Sequence, residues 1–124
     1  MRIALLFTVS MAFAQPAISH GQKITGIYSN MSYNREGGDI LGMEVFLVYS
    51  RDGYRVVYQA SEGEPSSPMV IPAKVEGNAI SFLIPSGTDP RGNFIGKIEP
   101  TEMVGTFSGN GQTVHLPRRA SYWQ

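Results

Sequence analysis

The chain has 124 residues, ten basic and ten acidic side chains, 42% hydrophobic residues and no cysteine. That length suits a single domain, and the balanced charge lacks the clustered basic excess that nucleic-acid binding requires. Without cysteine there is no disulfide, thiolate metal site, cysteine nucleophile or lipid-modified N-terminal cysteine.

Met1-Arg2 is a short basic start, and Ile3 to Phe13 is apolar apart from Thr8 and Ser10. Ala12-Phe13-Ala14 then places small residues where a signal peptidase cuts. A bilayer span needs roughly 20 apolar residues, so residues 1–14 read as a cleaved signal peptide and no membrane span is expected. Cleavage leaves residues 15–23 as a flexible N-terminal segment and 24–124 as one domain. Small eukaryotic secreted domains lean on disulfides, so the expected location is a bacterial periplasm or the medium outside a bacterium. On that reading Asn30-Met31-Ser32 matches a glycosylation sequon by coincidence.

Beyond the leader, fourteen glycines and eight prolines separate alternating apolar runs with no sustained helical period, the pattern of an all-β sandwich or barrel. Eight strands are expected, near 24–29, 40–50, 54–60, 68–76, 79–85, 93–99, 102–108 and 112–119. Four tight turns set a register. Arg51-Asp52-Gly53-Tyr54 reads as a type I′ hairpin pairing Tyr49 with Val56, Leu47 with Tyr58 and Val45 with Ala60. Gly77-Asn78 pairs Val75 with Ile80, Ala73 with Phe82 and Ile71 with Ile84. Pro100-Thr101 pairs Ile98 with Met103, Gly96 with Gly105 and Phe94 with Phe107. Asn110-Gly111 pairs Phe107 with Val114, Gly105 with Leu116 and, on the other side, Thr106 with His115.

A one-residue slip would turn every apolar side chain to the wrong face, so these turns together describe an eight-stranded antiparallel up-and-down meander with one apolar inner face. Closing it into a small barrel removes the vulnerable edges; the alternative is an open β-sandwich. Gly26, Gly42, Gly96 and Gly105 fall inside strands, as expected where backbone bends or approaches closely. Lys74, Lys97, Glu99 and Glu102 lie on the outer face, which argues against a lipid-facing barrel.

Gly26-Ile27-Tyr28 on the first strand resembles the Gly-x-aromatic signature of the calycin superfamily, which includes the lipocalins. The resemblance implies that a basic residue on the last strand packs across the aromatic ring and plugs one end of the barrel. By the register above, Arg118 is inward, opposite Met103, and fits that part, while Arg119 falls outside beside Glu102. Tyr replaces the usual Trp, and the lipocalin cysteines are missing.

Chemistry has few candidates. His20 and His115 lack a second ligand at metal-site spacing, and no nucleophile-elbow pattern is present. Glu62/Glu64 and Glu99/Glu102 read as solvated turn charges, and Glu44, Arg55 and Gln59 as an outward polar face near Asp39. No catalytic residue, metal ligand or cofactor is expected. Loops on a rigid scaffold carry function disproportionately. By meander topology 30–39, 61–67 and 86–92 converge on one rim, while 52–53, 77–78 and 100–101 crowd the other. Asn30, Met31, Tyr33, Asn34 and Arg35 form the candidate interaction loop.

The expected function is therefore a non-enzymatic binding or interaction module using the long-loop rim, with a periplasmic protein as the partner. One alternative is a lipocalin-like carrier holding a small apolar ligand against Tyr28, Tyr49, Tyr58, Phe82, Phe94 and Phe107; an eight-stranded barrel is also just wide enough to be filled by such side chains. A second alternative rests on Ser108-Gly109-Asn110-Gly111, which is similar to the Ser-Gly-rich loop of periplasmic lysozyme inhibitors, themselves small barrels.

Overall fold

Turn chemistry and inward-facing apolar residues combine into one antiparallel sheet in the computed structural model, which describes residues 23–87 and 89–124. The expected signal peptide, residues 15–22 and His20 lie outside the described residues. The strands are β1 (Gly26–Ser29), β2 (Ser32–Asn34), β3 (Asp39–Ser50), β4 (Gly53–Gly63), β5 (Met69–Glu76), β6 (Ala79–Leu83), β7 (Asn93–Ile98), β8 (Glu102–Phe107) and β9 (Thr113–Pro117). Their order is β1-β3-β4-β5-β6-β7-β8-β9, every pairing antiparallel, with β2 paired to β3 beyond the end of β1. This is the eight-strand meander with one short strand added inside the 30–39 loop. Among the described residues no helix is long and apolar enough to cross a membrane.

The sheet curls until its first and last strands meet at a bridge between Tyr28 and Arg118, beside a hydrogen bond from Arg119 N to the Ile27 carbonyl (3.2 Å). The result is a nearly closed barrel rather than two packed sheets. β5 turns the corner by changing partners. Its first half, Met69 to Pro72, pairs with β4, and its second half, Ala73 to Glu76, pairs with β6. Pro72 has no N–H to give a ladder and sits where the strand leaves one neighbour for the next.

Two hairpins keep the register read from sequence. Val75 faces Ile80 and Ala73 faces Phe82; Ile98 faces Met103, Gly96 faces Gly105 and Phe94 faces Phe107. The other two shift by two residues. A type I′ turn needs positive φ at both central residues, and no described residue other than glycine has it. Gly53 takes φ +106 instead and opens β4 opposite Ser50, so Tyr49 faces Tyr54, Leu47 faces Val56 and Val45 faces Tyr58. At the last hairpin the loop widens to 108–111, closed by Phe107 N to the Gln112 carbonyl (3.0 Å), with Gly111 at φ +68. Gly105 therefore faces Val114, Met103 faces Leu116, and Thr106 faces Thr113 rather than His115. Arg118 N bonds the Thr101 carbonyl instead of lying across from Met103. A slip of two leaves every side chain on its original face, so the inner face survives both corrections.

Tyr28, Tyr58, Phe82, Phe94 and Phe107 are all buried in that face. Ring centroids lie 6.2 Å apart from Tyr58 to Phe82, 4.8 Å from Phe82 to Phe94 and 5.0 Å from Phe94 to Phe107. Such contacts add to the burial of each ring. Tyr49 does not join them. It is 67% exposed, past the last core layer, and packs edge-on against Tyr54 at 4.9 Å. The outer face is less polar than the sequence suggested. Ile27, Phe46, Val57 and Val70 are aligned across β1, β3, β4 and β5, with Phe46 and Val70 exposed.

The paired Gly96 and Gly105 make space for one ring. A Cβ on Gly105 would lie 2.2 Å from Phe94 Cζ, and one on Gly96 would lie 2.9 Å from Phe94 Cε1. Gly105→Ala is expected to cost about 2 kcal/mol by overpacking. Adding Phe94→Leu should recover about 1 kcal/mol of coupling in a double-mutant cycle followed by urea unfolding.

Candidate functional site

The long connections gather at one end of the barrel, where β3 begins and β4 ends. Gly63 lies beside Asp39, at 3.8 Å from its Oδ1 to a Cβ built on the glycine, and Arg91 reaches from the 84–92 loop to Glu62 on β4 (2.7 Å). Beside Arg91 is a groove of about 400 Å³ whose lining includes Glu62, Glu64, Ser66, Asp89, Arg91 and Asn110.

Its floor is a charged network set over the core. Arg91 Nη1 donates to Asp89 Oδ2 (2.6 Å) and Nη2 donates to Glu62 Oε1 (2.7 Å). The Tyr58 hydroxyl donates to Asp89 Oδ2 (3.1 Å) and receives a long contact from Arg91 Nη1 (3.5 Å). Arg91 and Asp89 are nearly buried, whereas Glu62 is exposed. Asp89 Oδ1 also accepts from the Arg91 backbone N (2.9 Å), a tight local turn that aims the guanidinium inward. Arg91 Nε is buried without a hydrogen-bond partner among the described residues. Burial pushes the Tyr58 hydroxyl well above its ordinary pKa, Arg91 pulls it back and Asp89 adds to the rise. Tyr58 is therefore held as a neutral donor.

Ser108 and Gly109 explain themselves structurally. Ser108 Oγ accepts from Asn93 N (2.9 Å), Gly109 N donates to the Arg91 carbonyl (2.7 Å), and a Cβ on Gly109 would lie 2.1 Å from the Pro90 carbonyl oxygen. These contacts tie the last hairpin loop to the 84–92 loop and leave Asn110 at the groove.

The candidate interaction loop divides in two. Met31 is only 2% exposed; its N–H donates to Ser29 Oγ (3.2 Å), and its carbonyl accepts from Arg119 Nη2 (2.8 Å). Asn30 Oδ1 takes the Met43 N–H (2.8 Å). The chain here packs onto Gly42, where a Cβ would lie 2.6 Å from the Asn30 carbonyl oxygen. Asn30 and Met31 thus belong to the packing of the barrel, a correction to their place in a recognition loop. Tyr33, Asn34 and Arg35 are exposed.

At the opposite end, Arg118 Nη1 donates to the Tyr28 hydroxyl (2.9 Å) and the Lys23 carbonyl (2.7 Å), and Nη2 donates to the Thr25 carbonyl (2.7 Å). Its guanidinium carbon lies 5.4 Å from the Tyr28 ring centroid, and Gly26 leaves room for it, since a Cβ there would be 3.2 Å from Nη2. Burial also raises the Tyr28 pKa, against the lowering effect of Arg118.

Glu44 is not an open polar site. It is 8% exposed and its carboxylate accepts from Ser29 Oγ (2.8 Å), Ser121 Oγ (2.7 Å) and Tyr122 N. Trp123 Nε1 continues the same tail across β4 by donating to Gln59 Oε1 (2.8 Å). Nothing in the spacing of residues 118–124 advertises this strap; its one cue is an acid in the most apolar stretch of β3. Arg55 instead folds back on the Asp52 and Tyr54 carbonyls, and Glu102 faces His115 at 3.4 Å. Among the described residues no three His, Cys, Asp or Glu side chains gather to hold a metal ion.

The chain matches no family model, no curated protein and no solved structure.

Two measurements test these networks. A tyrosine whose folded pKa is raised stabilises the fold fully below its unfolded pKa of 10.0 and loses that contribution as the pH climbs toward the folded value. Stability should hold to about pH 9 and fall above about pH 10, less steeply in Tyr58→Phe, as read by denaturant melts across that range. Glu44→Gln should cost about 1–3 kcal/mol by mismatching three donors, and it should speed hydrogen exchange at the Tyr122 amide.

Proposed function

We propose that this protein is an exported, non-enzymatic binding module of a bacterial periplasm that docks a partner protein through its long-loop rim. The observation that carries the reading is the filled interior. The rings of Tyr58, Phe82, Phe94 and Phe107 follow one another at contact distance across the lumen, which supports a rim site over a lipocalin-like carrier. The Arg118 guanidinium over Tyr28, with Gly26 beneath it, supports the calycin likeness of the closed end.

Charge supports a basic partner. The loops and strand ends of the rim carry Glu36, Asp39, Glu62, Glu64 and Asp89 but only Arg35 and Arg91, although the whole chain is balanced. A patch of one sign steers association with a surface of the other. Tyr33 and Asn34 add exposed amphipathic contacts beside it. The likeness of residues 108–111 to the loop of periplasmic lysozyme inhibitors names a first partner to assay, and inhibition of a lysozyme by an excess of this protein would be the direct readout.

The absence of native cysteine makes the general test clean. A photo-crosslinker placed at a single cysteine, Glu64→Cys, should give a partner adduct in periplasmic extracts, whereas the same reagent at Lys97→Cys on the barrel wall should give none. Equal adducts from both positions, or uptake of a fluorescent apolar dye into the barrel, would overturn the rim reading.

A further inference from the structure

The end of the barrel away from the rim has a cleft of its own, of about 410 Å³, lined by Lys23, Ile24, Thr25, Tyr49, Tyr54, Val75 and Gly77. Tyr49 is in phase with the inward residues Val45 and Leu47, yet it projects past the core with most of its ring in solvent. Tyr54 packs against it, 4.9 Å between centroids at 63°, and still leaves Tyr49 67% exposed. A large aromatic left open in this way contributes little to the stability of the barrel.

The facing wall is held rigid. The Lys23 and Thr25 carbonyls accept from Arg118 at 2.7 Å each, and the Ile24 carbonyl accepts from the Tyr28 hydroxyl at 2.6 Å. Three successive carbonyls are thus pinned by the closure of the barrel, so the cleft does not need to be ordered by its ligand. Gly77 opens its lower side, since a Cβ there would meet nothing within 4 Å. The Tyr49 and Tyr54 hydroxyls and the Lys23 ammonium have no hydrogen bond or ion pair to any described residue. Among the described residues lining the cleft, Lys23 alone is charged.

An aromatic face, two phenols and an ammonium without partners among the described residues match a ligand with an apolar ring face, a hydroxylated rim and a negative charge. We propose that this cleft binds an acidic saccharide, with a sugar ring stacked on Tyr49, hydroxyls bonded to the phenols and a carboxylate paired with Lys23. A flat aromatic acid would call for a deeper apolar slot to enclose both its faces, and a cationic ligand would meet Lys23 with the wrong sign. The site lies at the opposite end of the barrel from the rim and shares no lining residue with the rim groove.

Titration of the isotope-labelled protein with trigalacturonate, followed by amide shifts, tests it. Shifts should cluster at residues 23–25, 49–54 and 75–77. Tyr49→Ala, at a largely exposed position where the fold should be kept with only a small drop in melting temperature, should weaken binding about tenfold. Lys23→Gln should weaken trigalacturonate while leaving the weaker binding of neutral maltotriose unaltered. No shift at these residues at millimolar trigalacturonate, shifts that survive Tyr49→Ala, or equal loss of both sugars in Lys23→Gln would each overturn the proposal.

Discussion

The barrel depends on how its first and last strands are joined. They share one backbone bridge, Tyr28 with Arg118, too little for a ladder, and the Arg118 guanidinium does much of what missing strand hydrogen bonds would do. It ties together the Tyr28 ring and hydroxyl and two carbonyls just before β1. The guanidinium sits at the exposed end of the barrel and is not withdrawn from water. Here carbonyl oxygens and a ring face receive it, and Gly26 has no side chain to block its approach. The tail beyond it then crosses the seam and anchors on Glu44, so closure is reinforced at the end of the barrel by Arg118 and along its wall by the strap.

Closure of this kind separates the molecule into two ends with different chemistry. One end is occupied by the arginine and by short turns, which makes it stiff. The other inherits every long connection, and its groove is floored by Tyr58, Asp89 and Arg91. The interior between them is occupied by rings, with Gly96 and Gly105 giving up their side chains so that Phe94 can lie across the sheet. Both clefts open at the ends of this cylinder. That is the arrangement in which loops bind without loosening the scaffold.

Much of this scaffold was legible because inner and outer residues alternate between turns. Strand order, the inner face and two of four registers followed from alternation and from Gly77-Asn78 and Pro100-Thr101. The type of the other turns did not. Arg51-Asp52-Gly53 has the composition of a type I′ hairpin, yet tertiary pairing leaves Arg51 and Asp52 with negative φ and gives the unusual backbone to Gly53 alone. Met43 to Tyr49 is apolar on both phases except for Glu44, so exposure of Phe46 could not be read from its neighbours. Sequence reasoning placed the rim loops together and read Glu62 as a solvated charge, as its exposure bears out, but it gave Asp89 and Arg91 no part in the network. Their meeting joins positions 29 residues apart, a contact that no local pattern records. Glu44 was misassigned for the same reason, since its partners are 77 and 78 residues away.

The distance along the chain between Tyr28 and Arg118 also has a kinetic meaning. Ninety residues separate them, and nearly every other strand contact joins neighbours in sequence. Hairpins of that local kind form quickly, whereas bringing remote segments together pays loop-closure entropy before any contact rewards it. The meander can therefore assemble as a curled, open sheet with an unpaired edge on each side, vulnerable to pairing with other chains. Arrival of β9 and the residues after it ends that exposure, so the segment that closes the cylinder also sets how long the folding chain is at risk of aggregation.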